Sequence, residues 1–412
     1  MRLHSVSVRV GAETVRLVAE AESDQRSGRF ELYFEYPIEY EQFVSASADT
    51  FAAAMLVPAM FQNERLQIDP PLSPSLLFNL PRLRDIFHAW HPNLSRCEIQ
   101  ATAGPVAAKP PTNRAATFFS GGVDSFYTLL KHRRGGELTA PLTHIIFMRG
   151  IEKPLDFGRD VEASQRRAER IAAAAGVRCI TGESNIRTYF EPDWRRQYSG
   201  SALAACALSL ANGFDSVCIP ASYSYRDLVT IGTTPLTDER FSTEYLQIVH
   251  DGSELPRSEK TARIIEWDRD LVLAHLLVCV LNYGGDYNCC KCWKCVRTAI
   301  PLGYLGVLDA AQTFPDKTTD HWEAVLEADS MQCVEDNLRF GRTHNTKPEL
   351  TALLETVVRR RHFRQGLRTA FENSPIRSLV PALLSARQRV RRLAGLARKP
   401  ALPPESNAAV RS

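Results

Sequence analysis

The chain has 412 residues, of which 44% are hydrophobic and 24% are charged, a composition typical of an ordinary soluble globular protein. This composition excludes disordered, collagen-like and disulfide-dense miniature proteins, and the length leaves room for two or three domains. The net charge of +3 conceals a basic segment, because residues 359–399 contain twelve Lys or Arg and one acid, which leaves about −8 elsewhere.

No apolar run approaches the ~18 residues that a membrane-spanning helix requires. Residues 1–30 lack the apolar core of a secretion signal. We therefore expect a cytoplasmic protein without a transmembrane segment. Four of the ten cysteines lie between Cys289 and Cys295, which in such a protein favours metal binding over disulfides.

The first hundred residues predict strands followed by helices. Polar and apolar residues alternate with a period of two in three predicted strands, 4–10, 14–19 and 30–36. Apolar residues then recur at helical spacing in two predicted helices, 48–61 and 76–90. Residues 101–113, which are rich in Gly, Pro and small side chains, are typical of a linker. We therefore predict an N-terminal α+β module over residues 1–110.

From residue 115 onward, short apolar strands alternate with helices at intervals of roughly 30 residues. The predicted strands are 117–119, 143–147, 177–180 and 216–219. The predicted helices between them are 125–131, 161–175 and 201–213. This alternation predicts an α/β domain over residues 111–305, with a doubly wound parallel sheet. A helical basic extension over 306–399 and a disordered tail over 400–412 are predicted to follow.

The turn at residues 120–125 (Ser-Gly-Gly-Val-Asp-Ser) carries the first pattern with a chemical meaning. Two glycines let the backbone turn tightly and approach a ligand closely. The following helix start offers free N–H groups and the positive end of its dipole to an anion. The serines add hydroxyl donors, and Asp124 suits a metal ion that bridges phosphates. The pattern is neither a Walker A loop nor a GxGxxG fingerprint, and an ordinary capped strand–helix turn is the alternative interpretation.

Residues 117–125 resemble the PP-loop of the ATP pyrophosphatase (adenine nucleotide α-hydrolase-like) superfamily, which includes GMP synthetase, asparagine synthetase and tRNA-lysidine synthetase. The resemblance implies a Rossmann-like PP-loop domain over residues 111–305, with ATP and Mg²⁺ as cofactors. It also implies cleavage of ATP to AMP and pyrophosphate, with adenylation of a carboxylate or carbonyl oxygen for attack by a nitrogen or sulfur nucleophile. The implied pyrophosphate and metal contacts are Ser120, Gly121, Gly122, Val123, Asp124 and Ser125. Among them, the two serines and the aspartate are the implied catalytic residues.

The same resemblance implies further site residues. In the relatives a basic residue assists pyrophosphate; here Lys260 is the first candidate and Arg257 the second, with an exposed helix start as the alternative. Phe147 and Met148, at the end of a predicted strand, are implied to lie against adenine, with core packing as the alternative. Polar loops after residue 219 are candidates for substrate recognition or are ordinary turns.

A cysteine cluster is the second pattern. Cys289, Cys292 and Cys295 are each spaced by two residues, and Cys279 precedes them at the end of an apolar segment that we predict as a strand. Four thiolates suit a tetrahedral structural Zn²⁺, with an iron–sulfur cluster, a redox pair and buried free thiols as alternatives. The run is similar to the structural zinc site of the 7-cyano-7-deazaguanine synthase family, with Cys290 in place of a glycine. Cys279 and Cys290 therefore compete to be the fourth ligand.

The two resemblances together imply an AMP-forming, ATP-dependent C–N ligase related to the 7-cyano-7-deazaguanine synthase family. We expect it to act on a small-molecule acid or amide, with an amine or ammonia as the nucleophile. A tRNA-modifying enzyme that thiolates or amidates a base, and a noncatalytic nucleotide-binding partner, are the alternatives. RNA is a candidate partner of a basic amphipathic helix predicted over 379–396, which otherwise packs on the acidic body or lies on a membrane. A homo-oligomer is compatible with the sequence.

Overall fold

The computed structural model describes residues 1–106, 108–155, 161–281 and 285–372. The amphipathic helix predicted over 379–396 and the tail over 400–412 lie outside the described residues. The chain divides into one compact unit over Met1–Leu354 and a second over Glu355–Ser412. Within the described residues, no helix combines the length and apolarity needed to cross a membrane.

A ten-stranded, mostly parallel sheet runs through the first unit, which confirms the predicted α/β class. Its strands are β1 (Arg2–Val10), β2 (Thr14–Glu22), β3 (Arg29–Pro37), β4 (Leu66–Ile68), β5 (Ile99–Gln100), β6 (Ala115–Phe118), β7 (Leu142–Arg149), β8 (Arg178–Ser184), β9 (Ser216–Pro220) and β10 (Gln247–Asp251). They are ordered β10-β9-β6-β7-β8-β3-β2-β1-β4-β5 across the sheet.

Helices connect and cover these strands. They are α1 (Asp49–Gln62), α2 (Pro74–Trp90), α3 (Val123–Arg133), α4 (Val161–Ala174), α5 (Ile186–Tyr189), α6 (Ser199–Ser209), α7 (Arg257–Trp267), α8 (Arg269–His275), α9 (Trp293–Tyr304), α10 (Trp322–Ala328), α11 (Met331–His344) and α12 (Pro348–Glu372). The described structure also contains a π-helical turn at Trp194–Tyr198. Short 3-10 turns are formed by Ile38–Phe43, Tyr225–Asp227, Asp238–Phe241 and Leu308–Ala310.

The first three strands, which the alternating pattern predicts, pair as an antiparallel meander. The odd-numbered residues of β2 from Val15 to Ala21 are fully buried, because successive strand side chains point to opposite faces. Strand β3 then pairs with β8, with Phe34 opposite Ser184. Strands from the predicted N-terminal module and from the predicted ATP pyrophosphatase domain thus share one sheet.

The described part of the predicted linker, residues 101–113, is tied to its surroundings. The Lys109 ammonium donates hydrogen bonds to the backbone carbonyls of Ala211, Phe214 and Tyr245 at 2.6–2.9 Å. These three bonds fix the path of the chain just before β6.

The strand order brings two loops to one edge of the sheet. From β6 the chain adds β7 and β8 on one side and then returns with β9 and β10 on the other side. Strands β6 and β9 pair in parallel, so their carboxyl ends lie side by side. Ligands of open α/β sheets bind where the strand order reverses in this way. The chain leaves β6 through residues 120–125 and leaves β9 through residues 221–223.

Residues 276–279, predicted as a strand, have irregular backbone after α8, so that prediction is wrong. The side chain of Asn288 accepts a hydrogen bond from Val278 N at 2.8 Å, and Leu277 N donates to Gly121 O at 2.9 Å. Because these partners satisfy the buried backbone, the segment needs no neighbouring strand.

Candidate active site

The turn between β6 and α3 has the geometry of an anion-binding helix start. Gly121 has φ of +78°, in the left-handed region that glycine adopts without strain. Gly122 precedes α3, and no side chain among the described residues caps this helix. The first backbone N–H groups of the helix, from Val123 to Ser125, are therefore available to a ligand. The Val123 side chain is fully buried, so only its backbone N–H can contribute to the site.

The two predicted serine hydroxyls lie together in this turn. Ser125 Oγ donates to Gly122 O at 3.0 Å and lies 3.5 Å from Ser120 Oγ. Ser120 is exposed, whereas Ser125 is buried. Ser120 thus has the more accessible hydroxyl.

A cavity of about 400 Å³ opens above this turn. Its walls come from the turn itself, the ends of β7 and β9, the start of α7, the segment after α8 and the first turn of α9. The cationic side chains that line it are Arg195, Arg257, Lys294 and Arg297, and the acidic ones are Asp124 and Glu152. The excess of positive charge makes the cavity suitable for a polyanion.

Asp124 lies at the centre of this charge. Arg257 Nη1 donates to its Oδ2 at 2.5 Å, and Lys260 Nζ lies 3.8 Å from its Oδ1. Burial opposes ionisation, but the charges of Arg257, Lys260, Arg297 and Lys294 outweigh it and keep the pKa of Asp124 below its ordinary value. Its Oδ1 is buried and accepts no hydrogen bond from any described residue. Asp124 is therefore an ionised carboxylate with an unused oxygen.

The two candidates for a pyrophosphate-assisting cation occupy different positions. Arg257 is on the cavity wall, and its Nε has no hydrogen-bond partner among the described residues. Lys260 is only 1% exposed, and its Nζ donates to Ala221 O at 2.7 Å. Burial lowers the pKa of Lys260, and the Asp124 carboxylate opposes this effect. Arg257, the second candidate from the sequence, is thus the one with direct access to the cavity, and Lys260 lies behind it.

Phe147 and Met148 line the apolar side of the cavity with Ile146 and Ile151. Both predicted side chains are half-buried, and Met148 also packs against the hydrophobic core. An apolar surface at the end of β7 is chemically suited to a flat heteroaromatic ring. Both residues therefore line the cavity, and Met148 also contributes to core packing.

Four cysteine sulfurs lie within 4.8 Å of one another: those of Cys279, Cys289, Cys292 and Cys295. Tetrahedral zinc with Zn–S bonds of about 2.3 Å requires sulfur atoms about 3.8 Å apart. The Cys289–Cys295 and Cys292–Cys295 separations are 3.9 and 3.4 Å. Cys290, the rival fourth ligand, has φ of +60° and directs its thiol to Asn288 O at 3.3 Å. The four grouped cysteines could therefore bind a metal such as zinc.

The cysteine cluster adjoins the cavity. Cys279 lines the cavity and follows Leu277, whose N–H bonds to the glycine turn. Helix α9 starts directly after Cys292 and carries Trp293, Lys294 and Arg297 to the cavity wall. A metal at the cluster would thus fix two walls of the candidate active site.

Sequence reasoning did not assign several residues of this cavity. Arg195 lies on the π-helical turn, and Glu152 follows β7. Lys294 and Arg297 are three residues apart on α9, a spacing that places both on one helix face. This spacing, just after a ligand-type cysteine, is the one sequence signal that could have identified them.

No family model, curated protein or solved structure matches the chain. The sequence motifs and the geometry of this cavity are therefore the features of the chain that point to a function.

Proposed function

We propose that this protein is an ATP-dependent enzyme that releases AMP and pyrophosphate while it activates an oxygen of a small-molecule substrate for attack by a nitrogen nucleophile. One observation carries the proposal: the uncapped Ser-Gly-Gly-Val-Asp-Ser turn lies at the strand-order reversal and opens into a cation-lined cavity. The resemblance of this turn to a PP-loop and the Rossmann-like order of β6 to β10 support it.

In the proposed reaction, the substrate oxygen attacks the α-phosphorus of ATP, and the bond to the bridging oxygen of the β-phosphate breaks. Pyrophosphate leaves with the bonding electron pair. The N–H groups at the start of α3 and the guanidinium of Arg257 stabilise the negative charge that develops on it. Because these groups are fixed before ATP binds, they need little reorganisation during the reaction.

Asp124 and Glu152 are the residues that would hold Mg²⁺, since both are carboxylates on the cavity wall and Asp124 has an unused oxygen. When bound, Mg²⁺ would share the negative charge of the phosphates. The role proposed for zinc is structural, because four thiolates leave no open coordination position for substrate.

Product analysis tests the proposal. The full chain is incubated with ATP, Mg²⁺ and a deproteinised cell extract, and phosphorus NMR identifies the products. We expect AMP and pyrophosphate in equal amounts, loss of turnover in Asp124→Asn, and unchanged turnover in Asp309→Asn, which alters an exposed acid remote in sequence from the turn. Formation of ADP and phosphate would overturn the proposal.

Modification of RNA is the second candidate function. The middle of α12 carries three consecutive arginines at 359–361, and residues 362–370 after them are exposed. A basic helix of this kind can follow the phosphates of RNA. The activated oxygen would then belong to a base rather than to a small molecule.

A further inference from the structure

Cys333 is a thiol in the candidate active site that the proposed reaction does not yet use. It lines the same cavity as the glycine turn and is partly exposed. Its Sγ accepts a hydrogen bond from Arg297 Nη1 at 2.9 Å. It is also the third residue of α11, a helix of 14 residues, where the helix dipole favours negative charge.

Two buried side chains near Cys333 each have one polar atom without a hydrogen-bond partner among the described residues. Arg297 is 8% exposed and lines the cavity, yet its Nε has no hydrogen-bond partner among the described residues. Asp329 is 7% exposed, its Oδ1 lies 3.9 Å from Arg297 Nη1, and its Oδ2 has no partner in the described part of the chain. Buried polar atoms are rarely left unpaired in native proteins, so the Nε of Arg297, on the cavity wall, indicates that a polar ligand binds here.

The surroundings of Cys333 suit a nucleophile. Thiolates form at helix starts and beside arginine, and the thiolate is the reactive species. Arg297 also connects the thiol to the phosphate site, because it bonds to Cys333 and lines the same cavity as Asp124.

We infer that Cys333 is a catalytic nucleophile that captures the adenylated substrate as a thioester. The inference depends on the proposed function and narrows its substrate to a carboxylic acid, because only an acyl adenylate yields a thioester.

In this step the thiol first loses its proton to water, and the thiolate then attacks the carbonyl carbon. A carbon–sulfur bond forms, the bond from that carbon to the phosphate oxygen breaks, and AMP leaves with the electron pair. An amine then attacks the thioester carbonyl, an amide forms, and the thiolate leaves with the electrons of the carbon–sulfur bond. The proton of the amine passes to solvent, so no oxidant or reductant is needed.

Exchange of radiolabelled pyrophosphate into ATP separates adenylation from capture. The full chain is incubated with ATP, Mg²⁺, labelled pyrophosphate and a deproteinised cell extract, and both exchange and AMP release are measured. We expect Cys333→Ala and Cys333→Ser to retain exchange, which also shows that they fold, and to lose AMP release. Cys179→Ala is the matched control, because its thiol is partly buried and does not line the cavity. This control should retain both activities.

Intact-protein mass spectrometry supplies the second readout. The wild-type chain should gain a mass on Cys333 that neutral hydroxylamine removes, and the Cys333 variants should gain none. AMP release at the wild-type rate by Cys333→Ala, or an adduct on another residue, would overturn the inference while leaving the proposed function intact. Absence of pyrophosphate exchange in the wild-type chain would instead overturn the proposed function, and this inference with it.

Discussion

Exchange of Arg257 for methionine should weaken pyrophosphate and ATP·Mg²⁺ binding far more than exchange of Lys260. Arg257 is on the cavity wall, and no described residue bonds to its Nε, so it can donate a charge-assisted hydrogen bond to a phosphate oxygen. Hydrogen bonds to charged groups contribute about 1.5–3 kcal/mol, which corresponds to a Kd increase of about 10- to 150-fold. The Lys260 ammonium already donates to Ala221 O and lies behind the wall. Lys260→Met should therefore weaken binding by less than about tenfold.

Isothermal titration calorimetry at one fixed ionic strength measures both affinities, since salt screens such charges. Arg263→Met is the matched control on α7, because Arg263 is exposed and pairs with Glu266 at 2.7 Å outside the cavity. This control should bind both ligands as the wild type does. A larger loss in Lys260→Met than in Arg257→Met would reverse the roles assigned here. Wild-type affinity in both variants would refute the phosphate site altogether.

Four further predictions concern metal, folding and RNA. Elemental analysis should find about one zinc per chain, lost in Cys292→Ser and kept in Cys290→Ser, because the Cys290 thiol lies outside the four-sulfur group; iron with visible absorption would contradict this. Asn288→Ala should lower the free energy of urea unfolding by about 1–3 kcal/mol, since it leaves the Val278 N–H buried without a partner, and an unchanged value would count against that role. Asp251→Asn should destabilise the protein at pH 7. Although burial opposes ionisation, the cationic neighbours of Asp251 hold its pKa well below the ordinary value. The stabilising effect of the carboxylate is therefore present above pH ~4 and is lost as the pH falls further. A difference in unfolding free energy between the wild type and the variant that persists at low pH would refute this. Removal of residues 355–412 should abolish RNA retention if the second candidate function holds, and retention by the wild type should fall steeply with salt.

The strands that carry one buried face were predictable from the sequence. β1, β2 and β3 have nine residues each and alternate polar and apolar residues over enough of that length for the period to be recognised. Strand β10 escaped recognition because it has only five residues and ends in His250 and Asp251, both of which are buried. The pairing of β3 with β8 has no local signal at all, since it joins residues about 150 positions apart.

Local spacing identified the glycine turn and the cysteine cluster, because each is a short run whose chemistry follows from neighbouring residues. The rest of the cavity is assembled from distant elements. Arg195 and Arg297 reach it from a π-helical turn and from α9, and Cys333 from α11. The segment at 276–279 reads as a strand because it is apolar, but the Asn288 side chain satisfies its backbone instead. A tertiary contact thus decided what the local pattern could not.

A structure of the full chain with bound Mg²⁺ and an ATP analogue that resists cleavage between the α- and β-phosphates tests the central claim most directly. We predict the β- and γ-phosphates on the N–H groups at the start of α3, the Arg257 guanidinium beside them, and the base against Phe147. An analogue bound elsewhere, with the glycine turn free of phosphate, would contradict the account.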